Sequence, residues 1–186
     1  MNETIRNILG RRSIRAFQDR QIPEESLSLI LKCGQYAATA MGRQPWHFTV
    51  VQNREVLDEI VEENRRLILE SGNERMIERA KDPNFDSFHH APTVIIVSAD
   101  DQAIFGTIDC ANALQNMAVA AHSLGLGSCY IASFLMAIKG PRGKELLKKL
   151  QIPEGYTPVS CLAVGYSAVE APEPAPRREN TINYIR

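Results

Sequence analysis

The chain has 186 residues, 44% hydrophobic and 23% charged, and its 21 basic and 22 acidic side chains leave a formal net charge of -1. That length fits a single domain over residues 1–186 with its own core, and near neutrality argues against broad electrostatic binding to nucleic acid or to a membrane surface. No apolar run approaches the roughly 20 residues that span a bilayer, and Met1-Asn2-Glu3-Thr4 lacks a signal-peptide pattern, so a cytoplasmic protein is expected.

Asn2 suits a helix N-cap; Ile5, Ile8 and Leu9 fall on one face of the helix it opens, and Gly10 ends it. Directly after that exit stands Arg11-Arg12-Ser13-Ile14-Arg15. Guanidinium is planar, permanently charged and matches phosphate or carboxylate oxygens in pairs, so the cluster reads either as a local anion trap or as a solvated basic turn. Pro23, with Glu24 and Glu25 behind it, opens a second helix that should bury Leu27, Ile30, Leu31, Gly34 and Ala38. After Thr39-Ala40-Met41-Gly42 comes Arg43-Gln44-Pro45-Trp46-His47, then a first strand, Phe48-Thr49-Val50-Val51. Trp46, a lone aromatic beside a strand, reads as core packing and Gln44-Pro45-Trp46 as a fold-determining turn.

Val56, Leu57, Ile60, Val61, Leu67 and Ile68 form the stripe of an amphipathic helix over 55–69. Residues 71–90 are polar and weakly periodic, and suggest a mobile flap or short helix, with Asn73, Arg75, Met76, Phe85, Phe88 and His89 as candidate lining or as simple loop packing. Val94-Ile95-Ile96-Val97 is a continuous apolar run and predicts a strand buried on both faces. The helix expected over 105–124 is apolar nearly all round, which suits the middle of a protein or a subunit interface, and Gly125 and Gly127 should end it. Ser128–Ile131 predicts a third strand, Pro141 a helix start, and Pro158–Val164 a central strand stopped by Gly165. The proline-rich stretch 170–176 is an extended arm that ends in Arg177-Arg178, a second doublet suited to a shared anion.

Familiar chemistry motifs fail. Gly125-Leu126-Gly127 lacks the third glycine of a dinucleotide fingerprint, and no phosphate-binding P-loop or Gly-x-Ser-x-Gly elbow occurs. Cys33, Cys110, Cys129 and Cys161 form no Cys-x-x-Cys pair, so buried free thiols are expected, and His89-His90 has no partner set for a metal.

Arg11-Arg12-Ser13-Ile14-Arg15, Gln44-Pro45-Trp46-His47-Phe48, the 109–127 helix with its glycine exit and the terminal arginine doublet, in that order and spacing, resemble the FMN-dependent nitroreductase family over essentially the whole chain. The resemblance implies an α+β fold, a mixed, mainly antiparallel central sheet wrapped by helices, in an intertwined homodimer with FMN at the interface. It implies that Arg11, Arg12 and Ser13 hold the FMN phosphate and ribityl chain and that Arg15 lies against the pyrimidine edge. Ala38, Thr39 and Ala40 would touch the flavin from the partner subunit, with Gln44 in the same cofactor set, and backbone amides near Ala132 and Ser133 would meet flavin N5 and O4. Arg177 or Arg178, on an arm over 168–186 that packs on the partner, would close over the phosphate. Many family members have Pro-Ser where this chain has Ala38-Thr39, and Asn where it has Gly42, so individual hydrogen bonds there are lost or replaced.

The implied activity is reduction of nitroaromatic, quinone or related small electron acceptors by NADH or NADPH in a ping-pong mechanism. The flavin carries the chemistry, and no catalytic side chain is assigned. Two alternatives stand beside it: a relative with another flavin reaction (reductive dehalogenation, enoyl or ring oxidation, flavin fragmentation) and a non-enzymatic FMN-binding redox sensor.

Overall fold

Val94, Ile95, Ile96 and Val97 are all fully buried because helices cover both faces of the strand that carries them. The structure, a computed structural model, describes residues 1–186. Four strands, β1 (Trp46–Val51), β2 (Thr93–Asp100), β3 (Gly127–Ile131) and β4 (Tyr156–Gly165), form one sheet in the order β1-β2-β4-β3. All three pairings are antiparallel, and a single parallel bridge between Ser13 and Ser128 on the outer side of β3 makes the sheet mixed. The expected strands are therefore present, each starting one or more residues before the expected run, and β4 is central as its apolar run requires.

The helices are α1 (Glu3–Gly10), α2 (Glu24–Gln35), α3 (Arg54–Leu69), α4 (Glu74–Ala80), α5 (Gly106–Ser123), α6 (Leu135–Lys139) and α7 (Gly143–Lys149). One core joins Leu27 and Ile30 of α2 and Leu114 and Met117 of α5 to Ile95 and Leu162 of the sheet. The other joins Leu57 and Ile60 of α3, Ala137 of α6 and Leu146 of α7 to Val94, Ile96 and Cys161. Alternation along each strand sends successive side chains into the two cores.

Several expectations are corrected. Asn2 caps α1 as expected, its Oδ1 accepting from the Ile5 amide at 3.0 Å, but the helix buries nothing: Ile5, Ile8 and Leu9 are all exposed. Ala38 lies beyond α2 and is exposed, because the helix ends at Gln35. Gly127 does not end α5; the helix stops at Ser123, Gly125 takes the left-handed turn (φ 73°), and Gly127 opens β3. Cys33 is exposed, whereas Cys110, Cys129 and Cys161 are buried thiols, with burial pushing Cys110 up to about 12. The outer face of α5 is open, with Ile108, Asn112 and Asn116 exposed. Sequence periodicity missed α6, whose five residues are too short to show a helical stripe.

Candidate functional site

The arginine cluster is held in place by backbone pairing. Arg11 is the C-cap of α1, its amide donating to Asn7 O at 3.1 Å. Arg12 turns back: its Nη1 donates to Leu9 O at 2.7 Å and Arg11 O at 2.8 Å, satisfying carbonyls that a helix end leaves free. Ser13 then bridges to Ser128, and the Ile14 amide donates to Ser128 O at 2.9 Å. Ile14 plugs into the core, so Ser13 and Arg15 point the other way, Arg15 into solvent.

Arg15 lines a cavity of about 220 Å³ together with Cys129, Tyr130, Ile131, Ala132 and Ser133 from the end of β3. The amides of Ala132 and Ser133 are exposed and donate to no acceptor in the chain. Two of the expected positions, the Arg15 cation and the Ala132–Ser133 amides, thus meet in one hollow. Burial pushes the Cys129 thiol up, and the charges of Arg15 and Arg11 oppose that rise, so both guanidiniums act on the same spot. No side-chain hydrogen bond or ion pair within the chain occupies Arg11 or Arg15.

The rest of the lining comes from α3, α4 and the turn after it: Ile68, Met76, Arg79, Phe85, Ser87 and His89. Of the lining candidates in 71–90, Met76, Phe85 and His89 line this cavity. Asn73 instead caps α4, its Oδ1 accepting from the Met76 amide at 3.2 Å. Phe88 is fully buried with its ring 5.8 Å from that of Phe134, and Arg75 stands outside the lining. Sequence reasoning missed Arg79, although it stands three residues after Met76 and hence on the same helical face.

Asp86 anchors this turn. Its buried carboxylate accepts from Arg54 Nη2 at 2.7 Å and the Phe88 amide at 2.6 Å, and His90 Nδ1 lies 3.2 Å away. The knot holds His89 and His90 in left-handed backbone (φ 59° and 57°), which non-glycine residues adopt at a cost. Burial first, then the charges of Arg15 and Arg79, hold His89 below its ordinary pKa, so its ring is neutral near pH 7.

The remaining expected residues lie elsewhere on the chain. Ala38, Thr39 and Ala40 are tied to the start of α5: Asp109 Oδ1 accepts from the Ala40 amide at 3.0 Å, and Asn112 Nδ2 donates to Ala38 O at 3.3 Å. Thr39 Oγ1 accepts from the Gln44 amide at 3.3 Å, and Met41, Gly42 and Gln44 all have positive φ (55°, 64° and 49°), so this is a tightly wound turn. Trp46 is half-buried against the core that α2 and α5 share and stacks on Phe48, with ring centres 6.0 Å apart. The arm leaves the body after the Ala168 amide donates to Ala16 O at 3.0 Å; every later residue is exposed, and neither Arg177 nor Arg178 forms an ion pair.

Solved structures of known proteins share this architecture. A nitroreductase with bound FMN from Bacteroides fragilis superimposes with a TM-score of 0.91 at 34% identity, covering 100% of both chains. A nitroreductase with bound FMN from Desulfitobacterium hafniense gives 0.92 at 29% identity, again over 100% of both. An FMN reductase (NADPH) from Bacillus subtilis is 30% identical over 202 residues, covering 98% of this chain and 76% of the relative. A model of the Nitroreductase family matches residues 8–166, which include Arg11 to Arg15, the 38–46 turn and the whole cavity lining, and on that extent of agreement the chain belongs to the nitroreductase family.

Proposed function

We propose that this protein is an NAD(P)H-dependent FMN oxidoreductase that reduces nitroaromatic, quinone or related small electron acceptors by a ping-pong mechanism, as a homodimer. One observation carries the reading: an unpaired guanidinium, Arg15, and two unpaired amides, Ala132 and Ser133, line a single cavity. A flavin ring needs that donor set, with amide donors at N5 and O4 and a cation at the pyrimidine edge. Arg11 and Ser13, just before Arg15, fit the phosphate and ribityl chain, and Arg12 has Nε and Nη2 to add.

Arg11, Arg12, Ser13 and Arg15 would hold FMN there, and the bound cofactor would supply hydride-transfer chemistry between NADH or NADPH and the acceptor. Arg15 sets a fixed positive charge where reduction adds negative charge, which raises the reduction potential. The Ala132 and Ser133 amides orient the ring edge without any side chain, which is why no motif announces them. His89, held below its ordinary pKa by burial and by the charges of Arg15 and Arg79, is a poor acid at neutral pH.

The exposed apolar face of α1 (Ile5, Ile8, Leu9) adjoins the open face of α5, and Ile8, Tyr36, Asn116 and Val119 frame a hollow between them. A second copy covers such a face economically. In such a dimer the 38–40 turn would touch the flavin bound by the partner, and the 168–186 arm would carry Arg177 or Arg178 to the phosphate. Anaerobic spectroscopy tests the whole reading: the purified protein should be yellow, bleach with NADH or NADPH and recolour with menadione or a nitroaromatic. A colour stable to both nicotinamides would sink it in favour of a non-enzymatic FMN-binding protein.

A further inference from the structure

Arg79 stands in the cavity without a partner. It lines the same hollow as Arg15 and the 132–133 segment, yet comes from a different element, α4. It takes part in no ion pair or side-chain hydrogen bond within the chain, and no aspartate or glutamate lines the cavity. The adjacent carboxylate, Asp86, is already bonded to Arg54 and to the Phe88 amide, with His90 beside it. The same lining offers apolar surface from Ile68, Met76 and Phe85, with Met76 one helical turn before Arg79 on α4. Burial first, then the charges of Arg15 and Arg79, lower the His89 pKa, which sets both guanidiniums near that ring.

If the flavin-site reading above holds, Arg15 is committed to the cofactor and Arg79 is left for whatever enters beside it. We infer that Arg79 is a specificity-determining residue that selects electron acceptors carrying a carboxylate on an aromatic ring. The ring suits the Met76 and Phe85 surface, and a carboxylate suits the paired N–H donors of a guanidinium. An anion facing Arg79 meets no competing acid, and the neutral His89 ring adds no second charge to dilute the selection. The phosphates of the nicotinamide dinucleotide are the other source of an anion; the apolar walls beside Arg79 favour an aromatic acid.

The test uses the FMN-loaded protein and the Arg79→Gln and Arg79→Lys variants. Oxidised protein is titrated with benzoate and with benzamide, which share a ring and cannot be reduced, and binding is read from the perturbed flavin spectrum. Benzoate should bind about tenfold more tightly than benzamide, the value of one charge-assisted contact. Arg79→Gln should erase that ratio and Arg79→Lys restore part of it, and kcat/KM for 4-nitrobenzoate over 4-nitrobenzamide should follow the same order. Equal binding of the two ligands by the parent overturns the inference, as does loss of FMN from Arg79→Gln, which would make Arg79 a cofactor ligand. Slower bleaching by NADPH with an unaltered benzoate ratio overturns it too, placing the anion in the dinucleotide. A parent protein that takes up no FMN, read by calorimetric titration with FMN, defeats the flavin reading itself; bound FMN with no charge preference defeats only this inference.

Discussion

Ile14 fills the space that a side chain on Gly127 would need: a Cβ built there would lie 2.9 Å from Ile14 Cγ1 and 3.0 Å from its Cβ. The arginine cluster is seated on β3 through this contact and the Ile14 amide bond to Ser128. Gly127→Ala must push Ile14 outward and move Ser13 and Arg15 with it. The expected cost is about 1–3 kcal/mol, as for other overpacked sites. Thermal denaturation should show the loss, and flavin content after gel filtration should fall with it.

Replacing Arg11 and Arg15 together with Ala removes two charges that no group within the chain balances. The fold should persist, since Ile14 and the Ser13–Ser128 bridge do the packing. Most of the FMN should be released, measured as flavin per protein alongside circular dichroism. Full flavin content in a folded double variant would remove the basis of the site assignment.

Truncation after Glu173 deletes Arg177 and Arg178 and leaves every core residue in place. Flavin dissociation, followed by fluorescence on dilution, should become faster. A truncated protein that holds FMN as tightly as the parent would show that the arm does not close over the phosphate.

Arg54→Ala strips a guanidinium from the buried Asp86 carboxylate and loosens the turn that carries Phe85 and His89 into the cavity. The Arg54 side chain is 44% exposed, so solvent screens part of the loss. A cost of about 1–3 kcal/mol is expected from the poorly compensated carboxylate. Denaturant melts measure it, and faster amide exchange across 85–90 would localise it.

Acid should weaken the protein through His89. Because its folded pKa lies below the ordinary value, the unfolded chain takes up a proton more readily than the native state. The native state is therefore penalised as pH falls below about 6.5, and free of this penalty above it. Thermal midpoints measured between about pH 5 and about pH 8 should drop on the acid side, and His89→Gln should flatten part of that drop.

Much of the architecture was legible because it rests on local rules. Continuous apolar runs marked β2 and β4, the Asn2 cap and stripe periodicity marked α1 and α3, and three closely spaced arginines marked the anion-binding candidate. Trp46 was read as packing because a lone aromatic beside a strand has little else to do, and it stacks on Phe48.

Other features depend on contacts between residues far apart in the chain. Nothing in the apolar pattern of α1 says that its stripe is left open, because periodicity records which residues share a face but not what covers it. Gly127 looked like a helix stop until Ile14, 113 residues earlier in the numbering, was seen to need its missing side chain. Arg79 belongs to no sequence motif, and only the fold sets it in the same cavity as Arg15. Sequence alone determined the helices and strands that carry clear periodicity and the arginine cluster, since these follow from side-chain chemistry and local spacing; the family was legible as a resemblance of its motifs. Tertiary structure decided which guanidiniums stay unpaired, which amides stay free and which apolar faces stay open, because each depends on what the folded chain leaves unsatisfied.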